Sequence, residues 1–220
     1  YIMSTLNVDN INEYTTDGKV NVGHDIKLAS GKSVLNSDGK ATGALVKLLS
    51  TTASNDSAII FDNFVDNSVY ASYLLYIENH TPETNASGLY MKFRNSSSAD
   101  ITDSYLSAYY ERKVGNGAGS DAEGKVTHTN FADIWGSQTT TTANTLTGTA
   151  MLHMPDSGLG RFHIDGSLKN SSNTYMWIRR DVITNSVTGV KGVKFYQSSG
   201  NITSGVYTIF GVRKWVQHTE

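Results

Sequence analysis

The sequence predicts an all-β protein, an antiparallel β-sandwich without helices. Three observations predict it. Apolar residues return at every second position in each long segment. Glycine is frequent, at 20 residues, whereas proline is scarce, at two. Ser, Thr and Asn cluster between the alternating runs, where turns are expected. A helical bundle would instead be rich in Ala, Leu, Glu and Lys. Apolar residues make up 38% of the 220, enough for one modest core.

Taken in order, residues 1–43 form a segment of their own. Runs such as "NVDNI", "GKVNV", "DIKL" and "KSVL" alternate for only three to five residues. Turn signals at Asp17-Gly18, Ser30-Gly31 and Asp38-Gly39 interrupt them. Strands this short bury little alone, and isolated two-stranded pieces are marginal in water. Burial yields about 25 cal/mol per Å², against roughly 1–2 kcal/mol to order each residue's backbone. Copies of the same segment are the simplest partners. Val8, Ile11, Val20, Val22, Ile26, Leu28, Val34 and Leu35 would then meet their symmetry mates. The alternative is a flexible arm with incidental alternation.

Residues 44–220 carry longer strands. In "SYLLYIEN", Tyr73, Leu75 and Ile77 share one face. In "GLYMKFRN", Leu89, Met91 and Phe93 point to the core, while Lys92 and Arg94 point to water or a neighbouring chain. "DSYLSAYYERK" is a third strand. "GNGAGSDAEG" (Gly115–Gly124) reads as a mobile loop, and "SQTTTTANT" as a polar loop or edge. "LTGTAMLHM" and "RFHIDGSL" form a hairpin around Pro-Asp-Ser-Gly. "TYMWIRRDV", "GVKFYQ" and "GVYTIFGVRKW" complete a set of eight to ten strands. The last has apolar residues on both faces, with Tyr207 and Ile209 opposite Val206, Phe210 and Val212. That pattern predicts an interior strand covered on both sides. A jelly roll places its closing strand in this way. Trp135, Trp177 and Phe195 are expected in the core.

Composition narrows the function. Charged residues are 17% of the chain and sum to −2, so no basic excess drives nucleic-acid binding. The absence of cysteine removes disulfides, thiolate metal sites and cysteine catalysis. No apolar run approaches the ~18 residues of a membrane span, and no membrane insertion is expected. The opening residues have neither a basic nor an apolar leader segment, so no signal peptide is expected.

The order of pieces resembles a known group. "SYLLYIENHTPETNASGLYMKFRNSS", "MLHMPDSGLGRFHIDGSL" and "GVKFYQSSGNITSGVYTIFGVRK" are similar to the jelly-roll modules of fibre and appendage proteins in tailed bacteriophages. Residues 57–215 cover that pattern. Segments "LNVDNINEYTTDGKV" and "DIKLASGKSVLNSDG" resemble short fibre-shaft elements. The resemblance implies a virion protein that is a homotrimer and attaches to other virion proteins through its N-terminal arm. The same modules serve in tail fibres, spikes and head-attached fibres. The motifs are architectural rather than catalytic.

No catalytic constellation is evident. Asp62 with Asp66, or Asp100 with Asp103, could suggest glycoside hydrolysis, but they sit at strand ends and turns, where Asp bonds its own backbone. No cofactor is expected. His153 and His163 flank the Pro-Asp-Ser-Gly turn and would face each other across the hairpin. Two ligands make an incomplete metal site, so an ordinary polar pair is expected instead. Two loops remain, Gly115–His128 and Gln138–Asn144. Their residues Asn116, Ser120, Asp121, Glu123, Thr127, Gln138, Thr140 and Asn144 would form either an adaptable contact surface or inert loops.

Three functions follow as expectations. The first is a non-enzymatic, homotrimeric fibre of tail or head that binds a host surface glycan or receptor protein. The second is a structural capsid decoration or adaptor subunit. The third is a carbohydrate-binding or depolymerising module.

Overall fold

The computed structural model describes residues 45–114, 120–136, 138, 140, 145–156, 159–169, 174–184 and 189–214. The N-terminal segment 1–43, with all eight of its proposed oligomerisation residues, lies outside the described residues, as do Asn116 and Asn144.

Every regular element among the described residues is a strand. In chain order they are β1 (Leu45–Asp56), β2 (Ile59–Phe61), β3 (Tyr70–Pro82), β4 (Leu89–Arg94), β5 (Ser104–Val114), β6 (Ser120–Thr129), β7 (Ala132–Trp135), β8 (Leu146–His153), β9 (Arg161–Lys169), β10 (Tyr175–Thr184), β11 (Gly192–Gln197) and β12 (Ile202–Arg213). They build two antiparallel sheets. The larger has the order β1-β12-β3-β8-β9-β10-β5-β6, and the smaller β2-β11-β4-β7. The fold is a jelly-roll-like β-sandwich.

Alternation explains the core. Tyr73, Leu75 and Ile77 of β3 and Leu89, Met91 and Phe93 of β4 are fully buried, as the pattern predicts. Trp135 and Phe195 join them between the sheets. Tyr105 fastens the layers: its hydroxyl accepts from the Phe93 N–H at 3.0 Å and donates to the Ile101 carbonyl at 2.9 Å. Burial raises its pKa well above that of a free phenol.

Four sequence expectations need correction. First, Trp177 is not core; it is 38% exposed on the outer face of the large sheet. Second, Arg94 does not face water. It is buried, with its Nε 2.5 Å from Asp62 Oδ1, and it also bonds Asp100 and the Ser98 carbonyl. The 95–100 turn folds over it, so the cation is neutralised instead of solvated. Third, β12 is interior by hydrogen bonding, between β1 and β3, yet only its Tyr207–Ile209 face is buried. Val206, Phe210 and Val212 are half-buried on an open sheet face.

Fourth, the glycine-rich stretch is not all loop. Ser120–Thr129 is a ten-residue edge strand paired with β5. Gly124, which suggests a loop, lies opposite Tyr109. A Cβ there would come 2.8 Å from the Tyr109 hydroxyl, so the missing side chain makes room for a ring. That ring in turn carries Arg180, whose guanidinium carbon lies 5.1 Å from its centroid. Arg180 points inward on β10 and is 4% exposed. It is held by Glu111 Oε1 at 3.2 Å and by the Asp133 carbonyl at 2.6 Å.

Candidate functional site

Among the described residues no second layer lies over the outer face of the large sheet, and register places its side chains in rows. One row reads Thr149, Asp165, Arg179, Tyr110 and Glu123 across β8, β9, β10, β5 and β6. The next row toward one end reads Thr147, Ser167, Trp177, Arg112 and Asp121. The row on the other side reads Met151, His163, Asp181, Ala108 and Lys125.

The arrangement follows from strand period. In "TYMWIRRDV", Met176, Ile178 and Arg180 are in one phase and turn inward. Tyr175, Trp177, Arg179 and Asp181 are in the other and turn outward. Tyr175 is 62% exposed. The Tyr110 and Trp177 rings meet edge to face, with centroids 5.9 Å apart. The Arg179 guanidinium lies 5.4 Å over the Trp177 ring and donates from Nε to Asp165 Oδ1 at 2.9 Å. Both a ring and a carboxylate therefore fix this cation.

The charged chain continues across the sheet. His163 Nε2 lies 3.0 Å from Asp165 Oδ2, and Nδ1 lies 2.6 Å from Asp181 Oδ1. Only an imidazolium donates from both nitrogens. Partial burial works against that charge, but the hydrogen bonds to Asp181 and Asp165 outweigh it and raise the His163 pKa. At the sheet edge Arg112 Nε lies 3.9 Å from Asp121 Oδ1. A hydrogen bond to Asp121 raises the Tyr110 pKa.

Three of the residues expected to make contacts lie on this face: Asp121, Glu123 and Thr127 are exposed on β6. They belong to a strand, not a loop. Ser120 opens the same strand opposite Lys113. Thr140 is exposed, outside any strand. Gln138 is a correction. It is 2% exposed, and its Oε1 lies 3.0 Å from His80 Nε2 and 3.2 Å from Gln197 Nε2, so it cannot reach a partner.

The histidine pair also differs from expectation. His153 lies opposite Arg161, and His163 lies opposite Met151. The hairpin is offset by two residues, so the imidazoles are not cross-strand partners. Asp165 and Asp181 approach opposite nitrogens of His163 and do not converge on a point where a cation could sit. Among the described residues no group of three or more His, Cys, Asp or Glu side chains is arranged to hold a metal ion. Three of the four carboxylates weighed for hydrolysis are engaged elsewhere. Asp62 and Asp100 hold Arg94, and Asp66 Oδ1 accepts from the Ser68 hydroxyl at 2.5 Å.

Sequence reasoning overlooked Trp177, Tyr175, Tyr110 and Arg179. The signal was present: Trp177 shares its phase with Arg179 and Asp181, and a core residue would not.

The fold and this face together define a jelly-roll-like β-sandwich with one open, aromatic and charged sheet surface. Comparisons with models of protein families, with curated proteins and with solved structures found no match.

Proposed function

We propose that this chain is a non-enzymatic, homotrimeric appendage protein of a tailed-bacteriophage virion. Its sandwich head binds a host-surface glycan across the outer face of the large sheet. One observation carries the glycan part. Trp177, Tyr175 and Tyr110 stand in the solvent-facing phase, bordered by Arg179, Arg112, Asp121 and Glu123. An exposed aromatic platform stacks on the C–H face of a sugar ring, while flanking fixed charges take its hydroxyls. A groove built to cut glycans would need two carboxyls about 5–9 Å apart and flanking a bond; here Asp165, Asp181 and Asp121 are already tied to Arg179, His163 and Arg112. The virion assignment rests on the resemblance of residues 57–215 to phage appendage modules.

The test is binding of host cell-surface polysaccharide to intact protein, measured by calorimetry. Trp177→Ala and Tyr110→Ala should each weaken it at least tenfold, with the fold unchanged by circular dichroism. Undiminished binding in both variants would refute this face as the site.

A second reading, a structural decoration or adaptor subunit, draws on the other flank of the same face. Leu45, Tyr76 and Met151 are 48%, 41% and 44% exposed there, beside half-buried Leu74 and Phe210. Such an apolar band suits contact with another subunit.

A further inference from the structure

The end of this face beside the β8–β9 turn differs from the Trp177 end. A cavity of about 370 Å³ is lined by Met151, His153, Arg161, His163, Asp181 and Ile183 among others. A second, of about 400 Å³, is lined by Ser104, Leu106, Thr127, Leu159 and Ile183. Ile183 borders both, and register sets His153, Arg161, Ile183, Leu106 and Thr127 in one row across β8, β9, β10, β5 and β6, so the two adjoin as a charged half and an apolar half. Leu106 and Leu159, 46% and 40% exposed, line the apolar half.

The charged half is poised for an anion. Asp181 is bonded to His163, and Asp165 is shared between His163 and Arg179. Arg161 is exposed and has no ion pair among the described residues. Its planar fork matches a carboxylate, and its partner across the hairpin is His153 rather than an acid. Trp177 and Ile183 are six residues apart on one strand, about 20 Å, so one oligosaccharide could engage both ends.

We infer that this groove takes an anionic, acylated sugar residue of the nonulosonic or N-acyl uronic acid class. Its carboxylate sits on Arg161, and its acyl methyl lies against Ile183, Leu106 and Leu159. The inference rests on the glycan-binding reading and names the sugar class for it. The Thr127 and Ser104 hydroxyls are placed to bond the acyl amide or ring hydroxyls.

The experiment is chemical-shift mapping of isotope-labelled full-length protein with three probes: N-acetylneuraminic acid, glucuronic acid and N-acetylglucosamine. N-acetylneuraminic acid should bind tightest and shift the amides of Arg161, Ile183 and Leu159. Arg161→Gln should weaken it about tenfold and abolish the preference over N-acetylglucosamine, whereas Arg161→Lys should restore part of it. Leu159→Ser should weaken N-acetylneuraminic acid but not glucuronic acid. Equal binding of acidic and neutral probes, unchanged binding in Arg161→Gln, or no shift with any probe would each overturn the inference. Polysaccharide binding that still depends on Trp177 would then keep the broader reading intact. Loss of both would overturn the two together.

Discussion

The Tyr207 hydroxyl lies 2.6 Å from His80 Nδ1, and neither side chain reaches solvent. Gln197 and Gln138 close the other side of the imidazole. Four residues remote in sequence, from β3, β11, β12 and position 138, thus meet in one buried polar cluster. A neutral imidazole offers it one donor and one acceptor nitrogen, while Gln138 Nε2 and Gln197 Oε1 have no hydrogen-bond partner among the described residues. Desolvation accordingly lowers the His80 pKa from 6.5 to about 4, although the Gln138 hydrogen bond opposes the shift.

This depressed value predicts acid sensitivity. Between pH 6.5 and 4 the unfolded chain binds a proton at His80 that the folded protein refuses. Stability contributed by the neutral imidazole is complete above pH 6.5 and lost as pH falls toward 4, by on the order of 3 kcal/mol. His163, with its raised pKa, acts oppositely: its contribution is present below pH 6.5 and lost at higher pH. Thermal melts across this range should show a falling midpoint on acidification and a shallower fall in His80→Asn. Identical slopes would rule out His80 as the source.

Phe93 is fully buried and stacks on Tyr105 with centroids 6.1 Å apart. Phe93→Ala should cost about 3–5 kcal/mol in urea unfolding. A loss under about 1 kcal/mol would contradict the burial.

The tryptophans should separate cleanly. Trp135 is fully buried, and Trp135→Ala should cost about 3–5 kcal/mol. Trp177→Ala should cost less than about 1 kcal/mol, as expected for a side chain on an open face. In a Trp215→Phe background, since the third tryptophan lies outside the described residues, acrylamide quenching should lose an accessible component in Trp177→Ala and keep it in Trp135→Phe.

Gly166 lies beneath Trp135. A Cβ there would collide with the indole edge and come 2.8 Å from the Thr147 carbonyl and 3.0 Å from the Gly148 Cα. Gly166→Ala should therefore destabilise by about 1–3 kcal/mol through overpacking, read as a lower urea midpoint at unchanged slope. A neutral effect would mean that the indole shifts freely, against the close packing seen around it.

Assembly has its own measurement. If residues 1–43 drive the proposed trimer, light scattering should give a trimer for the intact chain and a monomer after deletion of residues 1–40. A monomeric intact chain at micromolar concentration would end that proposal and favour the adaptor reading.

Alternation was legible in the sequence because a sheet face repeats every two residues and one face must leave water. That rule, with the turn residues between the runs, determined the all-β class, the inward sets Tyr73–Leu75–Ile77 and Leu89–Met91–Phe93, and the hairpin of β8 with β9. Local pattern does not say which strands become neighbours, and the tertiary structure decided the rest on that basis. Arg94 reads as solvent-facing until Asp62, 32 residues away, and the 95–100 turn come to cover it. Gly124 reads as loop until Tyr109 occupies its missing side chain's place. Trp177 reads as core because aromatics usually are, whereas among the described residues its face meets no second sheet. His80, Gln138, Gln197 and Tyr207 span more than a hundred residues, and only closure of the sandwich gives them each other as hydrogen-bond partners. The open face was likewise invisible in sequence, since exposure belongs to the packing of two sheets of unequal width and not to any one strand.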